Sequence, residues 1–428
     1  QPQRRAGGHG HRDYERQVKV SKKLVQEMTE LKARAHPVWV KARKENRFAD
    51  FAPYLERWIE LKTEWARCID AGKPPYDVNI DDYERDETME RLDPIFDRLK
   101  EELIPLIQSI KGSGQDPDDS FLKGDFPIEK QETLGRGISA DMGFDFNQGR
   151  LDVSVHPFCG GAHPTDVRIT TRYRTNNFVE SLYAVIHETG HGLYEQGRME
   201  KGRDLPVSEA LSMGIHESQS LFWERMIAQG KSFCTNYLKL FSETFPDQLK
   251  GVTEEVFYRA VNTCRPSFIR VEADEATYNL HIMIRYEIEK RLINGDLEVD
   301  DLPDAWDDMY EQFLGIRSPD RSQGVLQDVH WSMGAMGYFP TYTLGNLYSA
   351  QLLAAARADI EGEESLEDMW HRGEFEPLLQ WMRDKVHARG SILSPAELVE
   401  EATGQPPTPQ PFIDYLRAKI ERLYGVNA

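Results

Sequence analysis

Apolar residues recur at three- and four-residue spacing along most of this chain, which is the pattern of helices with one buried face. The clearest case is 88–110, where Gly112-Ser113-Gly114 follows and predicts the end of the helix. Segments 18–46 and 51–69 repeat the pattern. The sequence therefore predicts a mainly α-helical fold. The apolar positions of 88–110 are Met89, Leu92, Ile95, Phe96, Leu99, Leu103, Ile107 and Ile110.

One stretch departs from the helical pattern. Apolar and polar residues alternate over 151–155 and again over 167–173, as they do in strands with one buried face. The segment 156–161 between them predicts a loop. We expect a small antiparallel sheet with a turn, lying beside a long cleft, because irregular segments on a rigid scaffold often line binding sites.

Length and composition indicate one large unit without nucleic-acid or membrane partners. The 428 residues are enough for a single domain over 13–428, with the polar segment 1–12 as a disordered tail. A formal net charge of −20 disfavours nucleic acid and anionic membranes as partners. No apolar run reaches the roughly 20 residues that span a bilayer. The scattered cysteines form no CxxC pair, which predicts reduced thiols and a cytoplasmic protein: Cys68, Cys159, Cys234 and Cys264.

The run 187–191 places two histidines four residues apart within a predicted amphipathic helix, 176–196. At that spacing His187 and His191 project from the same face and can bind one ion. Glu188 lies one residue further round the helix, where its carboxylate reaches a water rather than the metal. This arrangement predicts a zinc site with Glu188 as general base. Gly190 and Gly192 weaken a helix, so they indicate that another element approaches closely there.

A catalytic zinc site needs a third protein ligand, and three carboxylates follow the histidines. Glu195 is eight residues, about 12 Å along the helix, from His187, which is too far to share the ion. Glu209 and Glu217 both fall within the next predicted helix, 206–229. Glu217 is favoured because it lies in a polar stretch of an otherwise apolar helix, where a buried carboxylate needs a partner. Glu209 is the alternative.

Six motifs in this order resemble those of peptidase family M32, the zinc carboxypeptidases of the Taq type, from about residue 20 to the C-terminus. The resemblance implies a helical, zincin-like metallopeptidase that removes single residues from the free C-termini of peptides. It also implies a homodimer, and a segment of several tens of residues that precedes this chain in the family. The motifs are His-Pro-Phe at 156–158, Asp-x-Arg-x-Thr at 166–170, His-Glu-x-x-His at 187–191, His-Glu-Ser-Gln at 216–219, Ile-Arg-x-x-Ala-Asp at 269–274 and Gly-x-x-Gln-Asp-x-His-Trp at 324–331.

The resemblance implies a metal site of His187, His191 and Glu217, holding zinc or, as a substitute, cobalt. A water activated by this zinc would give its proton to Glu188. Donors beside the metal would stabilise the oxyanion, and the candidates are His330 and Tyr342. Tyr338 competes with Tyr342 for this role and is otherwise expected to contact the substrate. The competing interpretation of His330 is a core histidine next to Trp331.

The free carboxylate of the substrate needs a guanidinium, and two arginines are candidates. Arg270 is the first choice and Arg168 the second. The competing interpretation of each is a structural ion pair, of Arg270 with Asp274 and of Arg168 with Asp166. His156, in the loop before the second strand-like segment, is expected to shape the closed end of the groove together with Phe158.

Two other functions fit the same residues. An oligoendopeptidase would use an identical zinc site to cut internal bonds, without a clamp for the terminal carboxylate. A truncated, inactive interaction protein would keep the metal site without catalysis. Release of single amino acids from a peptide separates both from a carboxypeptidase.

Overall fold

The computed structural model of the protein describes residues 12–426, and most of these residues are helical. One large hydrophobic core draws on helices from both ends of the described chain, and Ala66, Ile69 and Val78 form a small second cluster. Among the described residues, no helix combines the length and the apolar character needed to cross a membrane. After the helical residues 12–19, the α-helices are α1 Lys22–Glu45, α2 Phe48–Ile69, α3 Pro75–Ile80, α4 Met89–Gly112, α5 Ile128–Asp141, α6 Phe178–Gln196, α7 Met213–Leu221, α8 Lys231–Thr244, α9 Glu254–Val261, α10 Glu275–Asn294, α11 Leu302–Leu314, α12 Pro340–Ile360, α13 Leu366–His371, α14 Glu376–Lys385, α15 Pro395–Thr403 and α16 Gln410–Tyr424.

The first long helices follow the periodicity of the sequence. Helices α1, α2 and α4 cover the three predicted segments to within a few residues at each end. In α4 the residues at helical spacing, including Leu92, Phe96, Leu99 and Leu103, are buried in the core. The mainly α-helical fold is therefore confirmed. The predicted tail, 1–12, lies outside the described residues except for Arg12, whose guanidinium pairs with Asp81.

The small sheet exists, but its predicted antiparallel pairing is wrong in part. It has three strands, β1 Gly149–Val153, β2 Cys159–His163 and β3 Asp166–Thr171, in the order β1-β3-β2. The segment expected to be a loop supplies β2, which turns tightly into β3 and pairs with it antiparallel. Strand β1 pairs with the other edge of β3. This pairing is parallel, and Leu151 lies opposite Ile169.

The helix predicted for 206–229 is broken into pieces. Pro206–Ser208 is a short 3₁₀ turn, and α7 begins only at Met213 because the Ser212 side chain accepts the Ile215 N–H and caps the helix. After α7 the chain continues as a π-helix, Phe222–Ala228. Glu209 therefore lies outside the helix that carries Glu217, and its side chain is exposed.

Candidate metal centre and active site

Helix α6 carries His187, Glu188 and His191, as predicted. It begins at Phe178 because the Asn177 side chain accepts the N–H groups of residues 179 and 180. Strand β3 packs along α6: a Cβ on Gly192 would lie 3.2 Å from Ile169 Cγ2. The small sheet thus lies beside the predicted metal helix.

Two glycines let three helices approach closely enough to form the site. A Cβ on Gly190 of α6 would lie 2.6 Å from the Gln219 backbone oxygen of α7. A Cβ on Gly345 of α12 would lie 2.8 Å from Glu217 Cγ. Both distances are shorter than carbon contacts allow, so glycine is required at each crossing. The close approach inferred from Gly190 is therefore present.

The predicted ligand atoms converge. Oε2 of Glu217 lies 3.8 Å from His187 Nε2 and 3.5 Å from His191 Nε2. Among residues 12–426, these three form the only group of at least three metal-ligating side chains whose ligand atoms all lie within 4.8 Å of one another. Two imidazole nitrogens and one carboxylate oxygen suit Zn²⁺ and several other divalent ions. The residues present therefore fit a divalent metal.

The charges at this site also suit a cation. Burial opposes ionisation of Glu217, but His187 and His191 outweigh it and lower the pKa of this carboxyl to about 2. Burial likewise disfavours protonated His187, yet Glu217 and Glu224 outweigh it and raise the pKa of His187 to about 9. In the metal-free chain His187 therefore keeps a proton, which a metal would have to displace.

The Nδ1 atom of each of the two histidine rings, which does not face the predicted metal position, has a polar partner of its own. His187 Nδ1 lies 2.8 Å from Oε2 of Glu224, and His191 Nδ1 lies 2.6 Å from His216 Nδ1. His216 Nε2 in turn lies 2.9 Å from Oε1 of Glu195. If the Nε2 lone pairs of His187 and His191 face a metal, their Nδ1–H groups donate outward to Glu224 and His216. Such outer hydrogen bonds fix the tautomer and the orientation of the rings.

Sequence reasoning missed Glu224 and assigned no role to Glu195. Glu195 is too far from His187 to bind the same ion, as expected, but its carboxylate orients His216. Glu224 follows Glu217 by seven residues, two helical turns, and this spacing could have identified it as a neighbour on the same face. The π-helix that carries Glu224 is of the kind often found at functional sites.

Glu188 has the environment of a general base. Its side chain is buried, and its Oε2 has no hydrogen-bond partner. Burial raises the pKa of Glu188 to about 7, although the nearby His187 opposes this. A carboxylate whose pKa lies near neutrality can both take and return a proton at neutral pH.

A second group of predicted residues lies at the start of α12 and in the 3₁₀ turn His330–Met333. His330 Nε2 lies 3.1 Å from the Tyr342 hydroxyl oxygen. The Tyr338 ring centroid lies 5.3 Å from that of His330 and 5.3 Å from that of Tyr342. Burial lowers the pKa of His330 to about 3, so its ring is neutral at neutral pH. Tyr342 lies one turn before Gly345, which packs on Glu217, so this group adjoins the metal ligands.

Arg270 adjoins this second group, but its ion pair differs from the expected one. The guanidinium carbon lies 4.8 Å from the centre of the Tyr342 ring. The residue is only 5% exposed, and its Nε and one terminal nitrogen donate to Asp328 at 2.9 Å. The suggested Asp274 pair is wrong because Asp274 caps α10 by accepting the N–H groups of residues 276 and 277.

Arg168 and His156 lie in the region of the sheet. The Arg168 side chain, on β3, is 56% exposed and makes the expected ion pair with Asp166, with nitrogen–oxygen distances of 2.9 and 3.0 Å. His156 is exposed in the connection between β1 and β2.

Known proteins with similar sequences and structures are carboxypeptidases. The sequence profile of the carboxypeptidase Taq (M32) metallopeptidase family matches residues 2–420. Carboxypeptidase 1 of Bacillus subtilis is 42% identical over 413 residues, which are 96% of this chain and 82% of that protein. The thermostable carboxypeptidase 1 of Thermus thermophilus is also 42% identical, over 421 residues, with 96% and 82% coverage.

Solved structures agree with the sequence comparisons. The crystal structure of the M32 carboxypeptidase from Deinococcus radiodurans R1 superposes with a TM-score of 0.96 at 40% identity, covering 99% of this chain and 85% of that one. Metallocarboxypeptidase 1 of Trypanosoma cruzi gives a TM-score of 0.93 at 39% identity, with 99% and 84% coverage. With the family profile matching nearly the whole chain, this protein belongs to the M32 family of metallocarboxypeptidases.

Proposed function

We propose that this enzyme releases single amino acids from free peptide C-termini, with a divalent metal held by His187, His191 and Glu217. The observation that carries the proposal is the convergence of these three ligand atoms beside the buried, unpaired Oε2 of Glu188. Zinc is the proposed ion, with cobalt as a substitute. When bound, such an ion polarises the scissile carbonyl and lowers the pKa of water.

The residues of the chain move the protons. Glu188, with its pKa near 7, takes a proton from the attacking water and returns it to the leaving amine. His330 is neutral, so one of its ring nitrogens carries the single N–H. With that hydrogen on Nε2, His330 donates to the Tyr342 oxygen and leaves the Tyr342 O–H free to donate to the oxyanion.

Arg270 is the proposed partner of the substrate carboxylate. Its guanidinium already donates to Asp328 and to the Tyr278 hydroxyl, but a guanidinium has five N–H groups, which leaves donors for a second carboxylate. Arg168, on the sheet, is the second candidate, and His156 would shape the groove near it. We expect Arg270→Lys to raise KM for free-acid peptides more than Arg168→Lys does; equal KM values for both variants and the wild type would contradict both assignments.

Mass spectrometry of a peptide ladder tests the reaction. The protein, loaded with Zn²⁺ or Co²⁺, is incubated with one peptide as the free acid and as the C-terminal amide. We expect stepwise loss of residues from the free acid and none from the amide. Internal cleavage of the amide would instead favour an oligoendopeptidase. Bound metal without release from either peptide would favour an inactive interaction protein.

The ligand set has its own test. Metal analysis of Glu217→Gln should show less than one metal per chain, whereas Glu209→Gln should keep the wild-type content, because Glu209 lies outside α7. The reverse result would make Glu209 the third ligand. A homodimer and a cytoplasmic location stay predictions; light scattering of the purified protein tests the first.

A further inference from the structure

Tyr338 of the second group forms an apolar surface with two residues that no step of the reaction uses, Tyr83 and Met213. The Tyr83 and Tyr338 rings pack edge to face with their centroids 5.0 Å apart. The Tyr338 hydroxyl lies 3.9 Å from the sulfur of Met213. The Met213 backbone N–H also donates to the Tyr83 carbonyl at 3.3 Å, so the two segments are joined directly. We call Tyr83, Met213 and Tyr338 the methionine–tyrosine patch.

The patch is open to solvent at Met213, whereas its two tyrosines are half-buried, and it lies close to the proposed metal. Met213 is the first residue of α7 and is 48% exposed. Because it precedes Glu217 by four residues, both side chains lie on the same face of α7, one turn apart. Core packing does not explain an exposed thioether at this position. A flexible, polarisable methionine beside two aromatic rings suits the binding of apolar groups of varied shape.

The order of contacts places the patch along the substrate. The Arg270 guanidinium carbon lies 4.8 Å from the centroid of the Tyr342 ring, and the ring centroids of Tyr342 and Tyr338 lie 5.3 Å apart. The Tyr338 hydroxyl in turn contacts the sulfur of Met213. With the terminal carboxylate at Arg270 and the scissile carbonyl at Tyr342, the next position toward the substrate N-terminus is at Tyr338. That carbonyl belongs to the penultimate residue, whose side chain therefore faces the patch.

We propose that the methionine–tyrosine patch binds the side chain of the penultimate substrate residue and favours aliphatic and aromatic side chains there. The proposal rests on the carboxypeptidase mechanism above, and it assigns Tyr338 to substrate binding rather than to the oxyanion. An acidic side chain is disfavoured at the patch, because it would lose water without gaining a charged partner.

Matched peptides test the patch. N-blocked peptides that share a C-terminal alanine carry Phe, Leu, Gly or Asp at the penultimate position, and kcat/KM is measured for each. For the wild-type enzyme, we expect kcat/KM to be about tenfold higher for the Phe and Leu peptides than for the Gly peptide, and lowest for the Asp peptide. Met213→Ser should lower the Phe-to-Gly ratio about fivefold while Gly itself changes by less than about twofold. Damage to the chemical step would slow the cleavage of all peptides equally, so the Gly peptide is the control for such damage.

Two further variants complete the test. Leu240→Ala, which removes a 41% exposed leucine from α8, should leave all ratios unchanged. Met213→Glu places an acid at the first turn of α7, where the helix dipole tolerates it, and should raise kcat/KM for a penultimate Lys relative to Phe. Unchanged ratios in both Met213 variants would overturn the patch alone. No release from any peptide by the wild type would overturn the carboxypeptidase proposal together with the patch.

Discussion

The proposed active site has a metal side, formed by α6 and α7, and an oxyanion side, formed by residues 330–342. Each side is anchored by a buried glutamate, but only on the metal side are the reactive rings held by hydrogen bonds to further carboxylates, directly or through His216. On the metal side, Glu84 accepts the Gly214 N–H at the start of α7, at 3.0 Å, and the Tyr348 hydroxyl, at 3.1 Å. The bond from the Gly214 N–H holds the N-terminus of the helix that carries Glu217. Glu224 and Glu195 then orient the histidine rings, the latter through His216.

The oxyanion side is anchored in the same way. Glu289 accepts the Trp331 indole N–H at 2.8 Å, the Gly337 N–H at 2.9 Å and the Tyr76 hydroxyl at 2.9 Å. These bonds hold both ends of the segment between His330 and Tyr338. His330 and Tyr342, however, bond to each other, and His330 Nδ1 is buried without a hydrogen-bond partner.

Each side is suited to a different part of the proposed reaction. A metal site needs fixed ligands, and the outer carboxylates supply that rigidity. The oxyanion side needs a hydrogen that is free when charge develops on the substrate, so a shared bond between two neutral groups suits it. Variants on the two sides should therefore separate metal binding from catalysis.

The largest loss of activity is expected for Glu188→Gln, which removes the proposed base from the metal side without removing a proposed ligand. We expect kcat to fall by about 10³–10⁴-fold, because the amide cannot take a proton. Metal content, measured by mass spectrometry of the eluted ion, should stay at the wild-type value. Substantial remaining activity would show that another group is the base.

A smaller loss is expected on the oxyanion side. Tyr342→Phe removes a hydroxyl and should lower kcat by about 10²–10³-fold with unchanged metal content. Tyr338→Phe keeps the ring of the methionine–tyrosine patch and should lower kcat by less than about tenfold. The opposite ranking of the two variants in steady-state kinetics would reassign the oxyanion donor to Tyr338.

Loss of an outer carboxylate should weaken metal binding more than it slows the loaded enzyme. We expect Glu224→Gln to raise the metal dissociation constant by about 10–100-fold, because His187 loses its anionic partner. At saturating metal, kcat should recover to within a few-fold of wild type. Titration with a chelator of known affinity measures the constant, and a wild-type value would contradict the role of Glu224.

The smallest effect is expected on the pH dependence of stability, through the two buried glutamates Glu84 and Glu289. Burial raises the pKa of Glu84 and of Glu289 from 4.5 to about 7. The folded state therefore holds these protons more tightly than the unfolded state, so the free energy of unfolding falls as pH rises from about 4.5 to 7. Each shift corresponds to at most about 3 kcal/mol. Urea unfolding of the metal-free protein at pH 5 and pH 8 should show a smaller difference in Glu84→Gln than in the wild type, and an unchanged difference would contradict this.

The sequence predicted the parts of the site that depend on local geometry. A helix advances 1.5 Å per residue whatever surrounds it, so the spacing of His187 and His191 was enough to place both on one face. The polar stretch around Glu217 identified the residue that the structure brings to them. The helical core positions followed from the same periodicity, and the glycine at 190 correctly indicated a close approach.

Tertiary structure decided what depends on residues far apart in the chain. The parallel pairing of β1 with β3 follows from the turn that pairs β2 with β3 first. Arg270 pairs with Asp328, 58 residues away, rather than with the nearby Asp274. Glu84 accepts a hydrogen bond from the first turn of α7, 130 residues away, and Glu224 of the π-helix contacts His187, 37 residues away. Partners that lie far apart in the chain are brought together by packing in space, and local periodicity carries no information about them.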